Sequence, residues 1–483
     1  MPFDLEPGSD REGPERRSGS GPGLSAEVFS IPLEDSKYIV YAPALRSAFV
    51  ANAQVVDFLA QLGKGVLDAP ADPDGSLVKL LRALEIVDAT PEIPPSTTTN
   101  GDPRPVSVTL LLTTACNLRC TYCYASAGNA APKFMTIDTA KRGIDFAAAN
   151  AAGRRTPYFE VGYHGGGEPT VNWHVLTGSL EYAREKAAEL KLELRSSLAT
   201  NGVVSDERID WIVAHLGGVS LSCDGLPQVH DQCRLTASGE GSSERVIHTL
   251  RRFDEAKFSY GIRLTVTAEH ISTLPESVEF LCQEFHPVSV HIEPVYPLGR
   301  GAAAAFAESD EFIEAYRAAS ARVAAHGRAV HFSGARVGTI TSHFCGVSQD
   351  NFCLSADGNV TACFEAFGED NPWAGVFFYG RPAPGGGYEF DHAVLAHLHG
   401  QAVENRAHCR GCFAKWSCGG DCYYKWMVAT GGGEFNGSAR CHVIRELTKD
   451  QILEKIAASG GLFWHEPSGL ACPACGQPHQ RAC

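Results

Sequence analysis

Between Val106 and His326, six apolar runs of strand length alternate with six segments of helical apolar spacing. The strand runs are Val106–Leu112, Tyr158–Tyr163, Leu194–Ala199, Val219–Cys223, Gly261–Thr267 and Val288–Glu293. The helical segments are Ile137–Ala151, Val175–Lys191, Asp206–His215, Ser243–Lys257, Leu274–Phe285 and Asp310–His326. Six such units in series predict a parallel α/β sheet with right-handed crossovers. Periodicity alone leaves two closures open, a partial barrel and an open doubly wound sheet. In a barrel the loops at the C-terminal strand ends converge, and chemistry gathers there.

The first of those loops carries Cys116-Asn-Leu-Arg-Cys120-Thr-Tyr-Cys123. Three thiolates this close cannot all pair as disulfides, but they can share one metal centre. Iron–sulfur clusters normally take four thiolates, so three leave one iron open to a substrate or cofactor. A structural zinc is the plainer alternative, and it would want a fourth ligand nearby. The chain has 17 cysteines in 483 residues. Residues 1–23 are rich in Gly, Pro and charge without an apolar core, so they do not read as a signal peptide. Metal binding in a cytoplasmic protein is therefore favoured over disulfides. No run of about 18 apolar residues predicts a membrane span. A net charge of −15 argues against nucleic-acid binding.

Three further motifs fall at later strand ends: His164-Gly-Gly-Gly-Glu-Pro169, Ala199-Thr-Asn-Gly202 and Ser222-Cys-Asp-Gly225, the last followed by His230, Asp231 and Arg234. Together with the cysteine loop they closely resemble the radical S-adenosylmethionine (AdoMet) enzymes. The resemblance selects a partial (β/α)6 barrel. It implies a [4Fe–4S] cluster on the catalytic Cys116, Cys120 and Cys123, with AdoMet on the open iron. Reductive cleavage of AdoMet would then give a 5′-deoxyadenosyl radical able to take hydrogen from an unactivated carbon. By the same resemblance, Gly166, Gly167 and Glu168 meet the AdoMet amino group, and Asn201 and Ser222 lie near the ribose. Tyr122 and Arg263 complete the expected cofactor contacts, Arg263 toward the AdoMet carboxylate. His230, Asp231 and Arg234 are read as loop-holding, and Cys223, Cys233 and Cys282 as core thiols.

A second array follows: Cys345, Cys353 and Cys363, then Cys409, Cys412, Cys418, Cys422 and Cys441. It matches the SPASM pattern, the C-terminal extension of radical AdoMet enzymes that modify peptides and proteins. That resemblance places Cys345, Cys363 and Cys422 on one auxiliary cluster, with Cys353 as its fourth ligand, and Cys409, Cys412, Cys418 and Cys441 on another. Three [4Fe–4S] clusters in all are expected, supplied with electrons by a donor such as flavodoxin or ferredoxin. Where sulfatase-maturing relatives carry an Asp directly after the cysteine matching Cys363, this chain has Phe364, and the first carboxylate is Glu365.

The sequence divides as a disordered leader (1–34), a hairpin-plus-helices unit (35–95), the barrel (105–330), the auxiliary-cluster region (340–465) and a tail with Cys472, Cys475, His479 and Cys483 (466–483). The unit at 35–95 resembles the winged-helix-like peptide-recognition domains of maturases that act on ribosomally made peptides. It is expected to be separable from the barrel and to capture a leader peptide as a strand added to an open sheet edge. The whole reads as a peptide maturase installing an intramolecular cross-link, C–C or thioether. A sulfatase-type maturase, a peptide epimerase and a non-catalytic iron–sulfur carrier or zinc module are the alternatives.

Overall fold

The computed structural model describes residues 22–65, 72, 74–91, 93, 101–303 and 309–466. Most of the expected leader and the tail with Cys472, Cys475, His479 and Cys483 lie outside the described residues.

Near the N-terminus, β1 (Phe29–Pro32), β2 (Lys37–Ala42) and β3 (Ser47–Asn52) form antiparallel pairs, followed by α1 (Ala53–Gly63) and α2 (Ser76–Ala83). The leader expected to run through residue 34 is corrected here. Phe29–Pro32 pair with Tyr38–Tyr41, and Phe29 and Ile31 are buried in the main core. The run Tyr38-Ile-Val-Tyr-Ala42 is apolar throughout because both faces of this sheet are covered. Ile39 and Tyr41 face the main core, whereas Val40 and Ala42 face a second core built with Phe58, Leu59, Leu62 and Leu81 of α1 and α2. A strand buried on two faces is not the surface of a detachable domain.

The barrel then runs as β4 (Ser107–Leu111), α3 (Ile137–Arg154), β5 (Tyr158–His164), α4 (Trp173–Leu190), β6 (Glu193–Thr200), α5 (Asp206–His215) and β7 (Gly218–Ser222). It continues with α6 (Pro227–Cys233), α7 (Ser243–Glu255), β8 (Tyr260–Val266), α8 (Leu274–Glu284), β9 (Ser289–Pro294), α9 (Ser309–Ala325) and a short β10 (Ala329–His331). Strands β4 to β10 are parallel neighbours in chain order. A doubly wound sheet would reverse direction part-way across; this one does not, as in a partial barrel. Helix α3 begins where the Thr136 side chain accepts the Thr139 amide. It lies close to the sheet through the buried Ala140, Gly143, Ala147 and Ala151, and a Cβ added to Gly143 would meet Leu354 at 2.4 Å.

The sheet does not stop at β4. On its other side β11 (Cys353–Leu354) pairs parallel with Thr109 and Leu110, and β12 (Val360–Thr361), β13 (Phe378–Pro382) and β14 (Tyr388–Phe390) extend it antiparallel. The cysteine-rich region is thus hydrogen-bonded onto the strand that feeds the first cysteine loop. Helices α10 (Ala374–Phe377), α11 (His392–His399), α12 (Lys415–Cys418), α13 (Tyr423–Thr430) and α14 (Ala439–Ala458) fill it. Finally β15 (Phe463–His465) returns to the N-terminal sheet and pairs with Ser47–Phe49 of β3. The sheet order is β1-β2-β3-β15, so this sheet is built from both ends of the described chain. No described helix is long and apolar enough to cross a membrane.

Candidate functional site

The cysteine loop leaves the C-terminal end of β4 and is braced from several elements. Arg119 and Thr121 donate backbone amides to Leu235 and Cys233, and the Arg300 side chain reaches the carbonyls of Cys120 (2.9 Å) and Ala127 (3.1 Å). Tyr122 donates its hydroxyl to Asp224, which also receives two bonds from Arg234 (2.8 and 3.0 Å). Burial alone would raise Asp224, but the Arg234 charge outweighs it and holds the carboxyl below its usual range. Tyr122 is thus a loop brace through Asp224. Cys116, Cys120 and Cys123 are free thiols of intermediate exposure. Burial, then the Glu168 charge, pushes Cys116 up to about 12; burial takes Cys120 to about 11. A bound metal reverses this, because coordination deprotonates a thiol outright.

The glycine segment after β5 runs beside this loop. Gly167 donates its amide to Thr113 and Glu168 to Ala115. A Cβ on Gly167 would sit 2.0 Å from the Ala115 oxygen, and one on Gly166 would strike the Phe367 ring. Glycine is required here by the cysteine loop itself. Glu168 is buried, and its Oε1 accepts from Thr170 N (3.1 Å), Thr170 Oγ1 (2.8 Å) and Thr200 Oγ1 (2.8 Å), while Oε2 accepts from Asn201 N (2.7 Å). A carboxylate has about four acceptor directions, so Oε2 keeps room for one more donor. Asn201 turns its Nδ2 to Asn117 (2.7 Å) and toward the Cys116 sulfur (3.8 Å).

Ser222 and Arg263 are register partners on β7 and β8. Arg263 has no carboxylate within ion-pair distance among the described residues, yet its charge is felt by His164, Tyr124, Glu293 and Glu365. These groups border one polar interior. The sequence reading missed several of them. Glu293 at the end of β9 binds Arg440 (3.0 Å), which also binds Asp421 (2.6 Å), and all three are buried. Positions 293 and 440 are distant in sequence, so nothing local announced the pair. Phe364 stacks on His164 with ring centroids 4.7 Å apart.

His230, Asp231 and Arg234 make structural contacts, with Ser242, Ser243 and Asp224 respectively. Cys223, Cys233 and Cys282 are buried. In the second array, Cys409, Cys412, Cys418 and Cys441 line one small cavity. Cys345, Cys363 and Cys422 lie near enough for their charges to interact, with Glu365 beside them. Cys353 lies buried in β11, hydrogen-bonded by Asn351 at 3.1 Å, and feels the charge of Cys345. Among the described residues no group of three His, Cys, Asp or Glu converges on a single-ion site.

Residues 110–281 match the model of the radical SAM superfamily. The sporulation killing factor maturation protein SkfB of Bacillus subtilis is 29% identical over 183 residues, covering 36% of this chain and 39% of that protein. The Fe-coproporphyrin III synthase of Methanosarcina barkeri is 27% identical over 247 residues, covering 50% and 57%. The matched segments therefore span well under two thirds of these relatives. Among solved structures, native anSMEcpe with bound AdoMet aligns at a TM-score of 0.57 and 16% identity over 73% of this chain and 99% of that one, a likeness of fold. The cysteine loop, the neighbouring glycine segment and the sequential parallel strands agree with the family match: residues 110–281 match the radical SAM superfamily, in a chain similar over part of its length to the maturation protein SkfB.

Proposed function

We propose that this protein is a peptide maturase that takes hydrogen from a residue of a ribosomally made precursor peptide and leaves an intramolecular cross-link. The observation that carries the reading is the joining of two thiol arrays on one sheet, the cysteine loop after β4 and the second array attached to β4 through β11. When bound, the AdoMet-ligated cluster on Cys116, Cys120 and Cys123 would supply the 5′-deoxyadenosyl radical. The protein's own part is positional. Glu168, Thr200 and Asn201 lock the ends of β5 and β6 to the loop; Asp224 and Arg234 hold Tyr122. Ser222 at the end of β7 and its register partner Arg263 on β8 would serve the ribose and carboxylate of AdoMet, and Gly166, Gly167 and the free direction on Glu168 its amino group. Closing a cross-link removes a pair of hydrogens. One leaves as an atom to the deoxyadenosyl group, and the other as a proton and an electron. That electron would pass to auxiliary clusters held by Cys345, Cys353, Cys363 and Cys422, and by Cys409, Cys412, Cys418 and Cys441, while a flavodoxin or ferredoxin would supply the electron that cleaves AdoMet.

A sulfatase-type maturase is disfavoured because Phe364, stacked on His164, stands where an acidic residue would be expected. Epimerisation needs no net electron sink and so leaves the second array without a task.

The leader would reach the protein at the N-terminal sheet, whose edge is partly filled rather than fully open. Phe29–Ile31 of β1 are buried, and β15 covers Ser47–Phe49, so an added strand would start from the uncovered end of β3 around Val50. The test is anaerobic co-expression with the neighbouring peptide gene, read by tandem mass spectrometry. Loss of a hydrogen pair within one cross-linked fragment supports the reading; an unchanged mass with an inverted residue, or an aldehyde, refutes it. The Cys116, Cys120 and Cys123 triple Ala variant should make no 5′-deoxyadenosine while retaining auxiliary-cluster iron.

A further inference from the structure

A cavity of about 280 Å³ opens beside the end of β9, walled by Tyr296, Leu298, Phe312, Phe332, Trp426 and Phe435. Its position ties it to all three thiol sets. Asp421 and Lys425, in its wall, flank Cys422; Ser438, Ala439 and Arg440 lead directly into Cys441. The segment Pro294–Leu298 continues into Gly299 and Arg300, which rest on the cysteine loop. The Arg300 amide donates to the Cys123 carbonyl at 3.0 Å. Gly299 takes φ +54°, and a Cβ there would lie 2.4 Å from the carbonyl oxygens of Cys123 and Tyr124. This wall is therefore fixed to the loop that holds the first cluster.

The chemistry of the lining selects the occupant. The rings of Tyr296, Phe312, Phe332, Trp426 and Phe435 share the wall with aliphatic Val295, Leu298, Val428 and Val443, and rings pair best with another ring in edge-to-face or offset contact. The volume suits an indole or phenol, whereas a small aliphatic side chain would leave wall atoms without contacts. The charged groups of the wall are Asp421, Lys425 and Arg440. Arg440 is held by Glu293 and Asp421, but Lys425 has no carboxylate within 4 Å among the described residues and lies 3.2 Å from the Tyr296 ring centroid. An ammonium already seated on one ring can serve a second ring or a carbonyl oxygen.

We propose that this cavity is the side-chain pocket for an aromatic residue of the peptide substrate, and that it sets which residue of the peptide lies at the first cluster. The inference rests on the peptide-maturase reading and names the substrate feature recognised.

The experiment uses the anaerobically reconstituted holoenzyme with N-acetyl-tryptophan amide and N-acetyl-leucine amide as probes, followed by saturation-transfer NMR. The tryptophan probe should bind about tenfold more tightly than the leucine probe and be displaced by the precursor peptide. Val428→Trp, which fills the pocket from α13, should weaken tryptophan binding about tenfold while iron content and the cluster EPR signals stay as in the parent. Val288→Trp, on the exposed surface, should leave both probes unaffected. Equal binding of the two probes, or tryptophan binding unchanged by Val428→Trp, overturns the inference. A precursor peptide that is cross-linked at the same rate after its aromatic residues are replaced by leucine also overturns it, yet leaves the maturase reading standing. Tryptophan binding that the peptide does not displace, with no peptide modified, removes the maturase reading and the peptide assignment together.

Discussion

Glu168 spends most of its acceptor capacity inside the protein, on Thr170, Thr200 and Asn201. Burial raises its pKa, and those four hydrogen bonds oppose the rise. Glu168→Gln puts an amide donor where donors already point. It should cost about 1–3 kcal/mol in denaturant unfolding of the apoprotein, and AdoMet cleavage should fall with it. Gly167 gives a sharper test. Gly167→Ala would push against the Ala115 carbonyl, so the first cluster should be lost while auxiliary-cluster iron and EPR signals remain. Full retention of iron would refute the close contact described above. The motif made both residues legible in sequence as site residues. The Thr200–Asn201 segment was legible as a motif too, but its hydrogen bonds to Glu168, and the contact of Gly167 with Ala115, join separate loops and were not. The Asp224 brace for Tyr122 is a contact across 102 residues, which only the fold reveals.

The elements found from sequence were those with a full period to display. Strands β4 to β9 and helices such as α5 and α9 each run long enough to bury one face repeatedly. Helix α6 has seven residues and a proline at its start, so it carries no readable periodicity. Strands β11 and β12 have two residues each and exist through their pairing. Yet α6 holds His230, fully buried between the Asp224 amide and Ser242. Burial lowers its pKa from 6.5 to about 4. The folded state thus resists protonation that the unfolded chain accepts. Its stabilising effect is intact above about pH 6.5 and is lost as pH falls toward 4, with a slope of up to about 1.4 kcal/mol per pH unit. Unfolding measured across that range should show the slope, and His230→Gln should flatten it. An unchanged slope in the variant would place the acid sensitivity elsewhere.

At the scale of the whole molecule, the thiol sets and the sheet that links them imply a specific iron inventory. Reconstituted protein should carry three [4Fe–4S] clusters, and Cys353→Ala should alter the EPR signal of one auxiliary cluster while AdoMet cleavage persists. Identical spectra would show that Cys353 is a packed thiol of β11. The cysteine loop and the second cysteine array were visible in the sequence at the outset, and the family resemblance divided the second array into two sets. What they could not convey was the pairing of β11 with β4, or the return of β15 to β3, since a three-residue strand has no pattern of its own. Trp464, the buried centre of β15, carries that return. Its indole donates to Glu466 at 3.0 Å and is covered by Lys455. Trp464→Ala should cost about 3 kcal/mol of stability. The loss should appear first as faster proteolysis between residues 22 and 65, and protection equal to the parent's would contradict the pairing.

The pairing of β15 with β3 also bears on how the protein is made. A ribosome releases Ser47–Phe49 long before it reaches Phe463–His465, so during most of synthesis β3 has an unfilled edge with exposed amides and carbonyls. Unpaired edges are where nascent chains join one another. A stop codon near position 460 would therefore be felt more than 400 residues upstream, as aggregation or degradation seeded by the unfilled edge of β3.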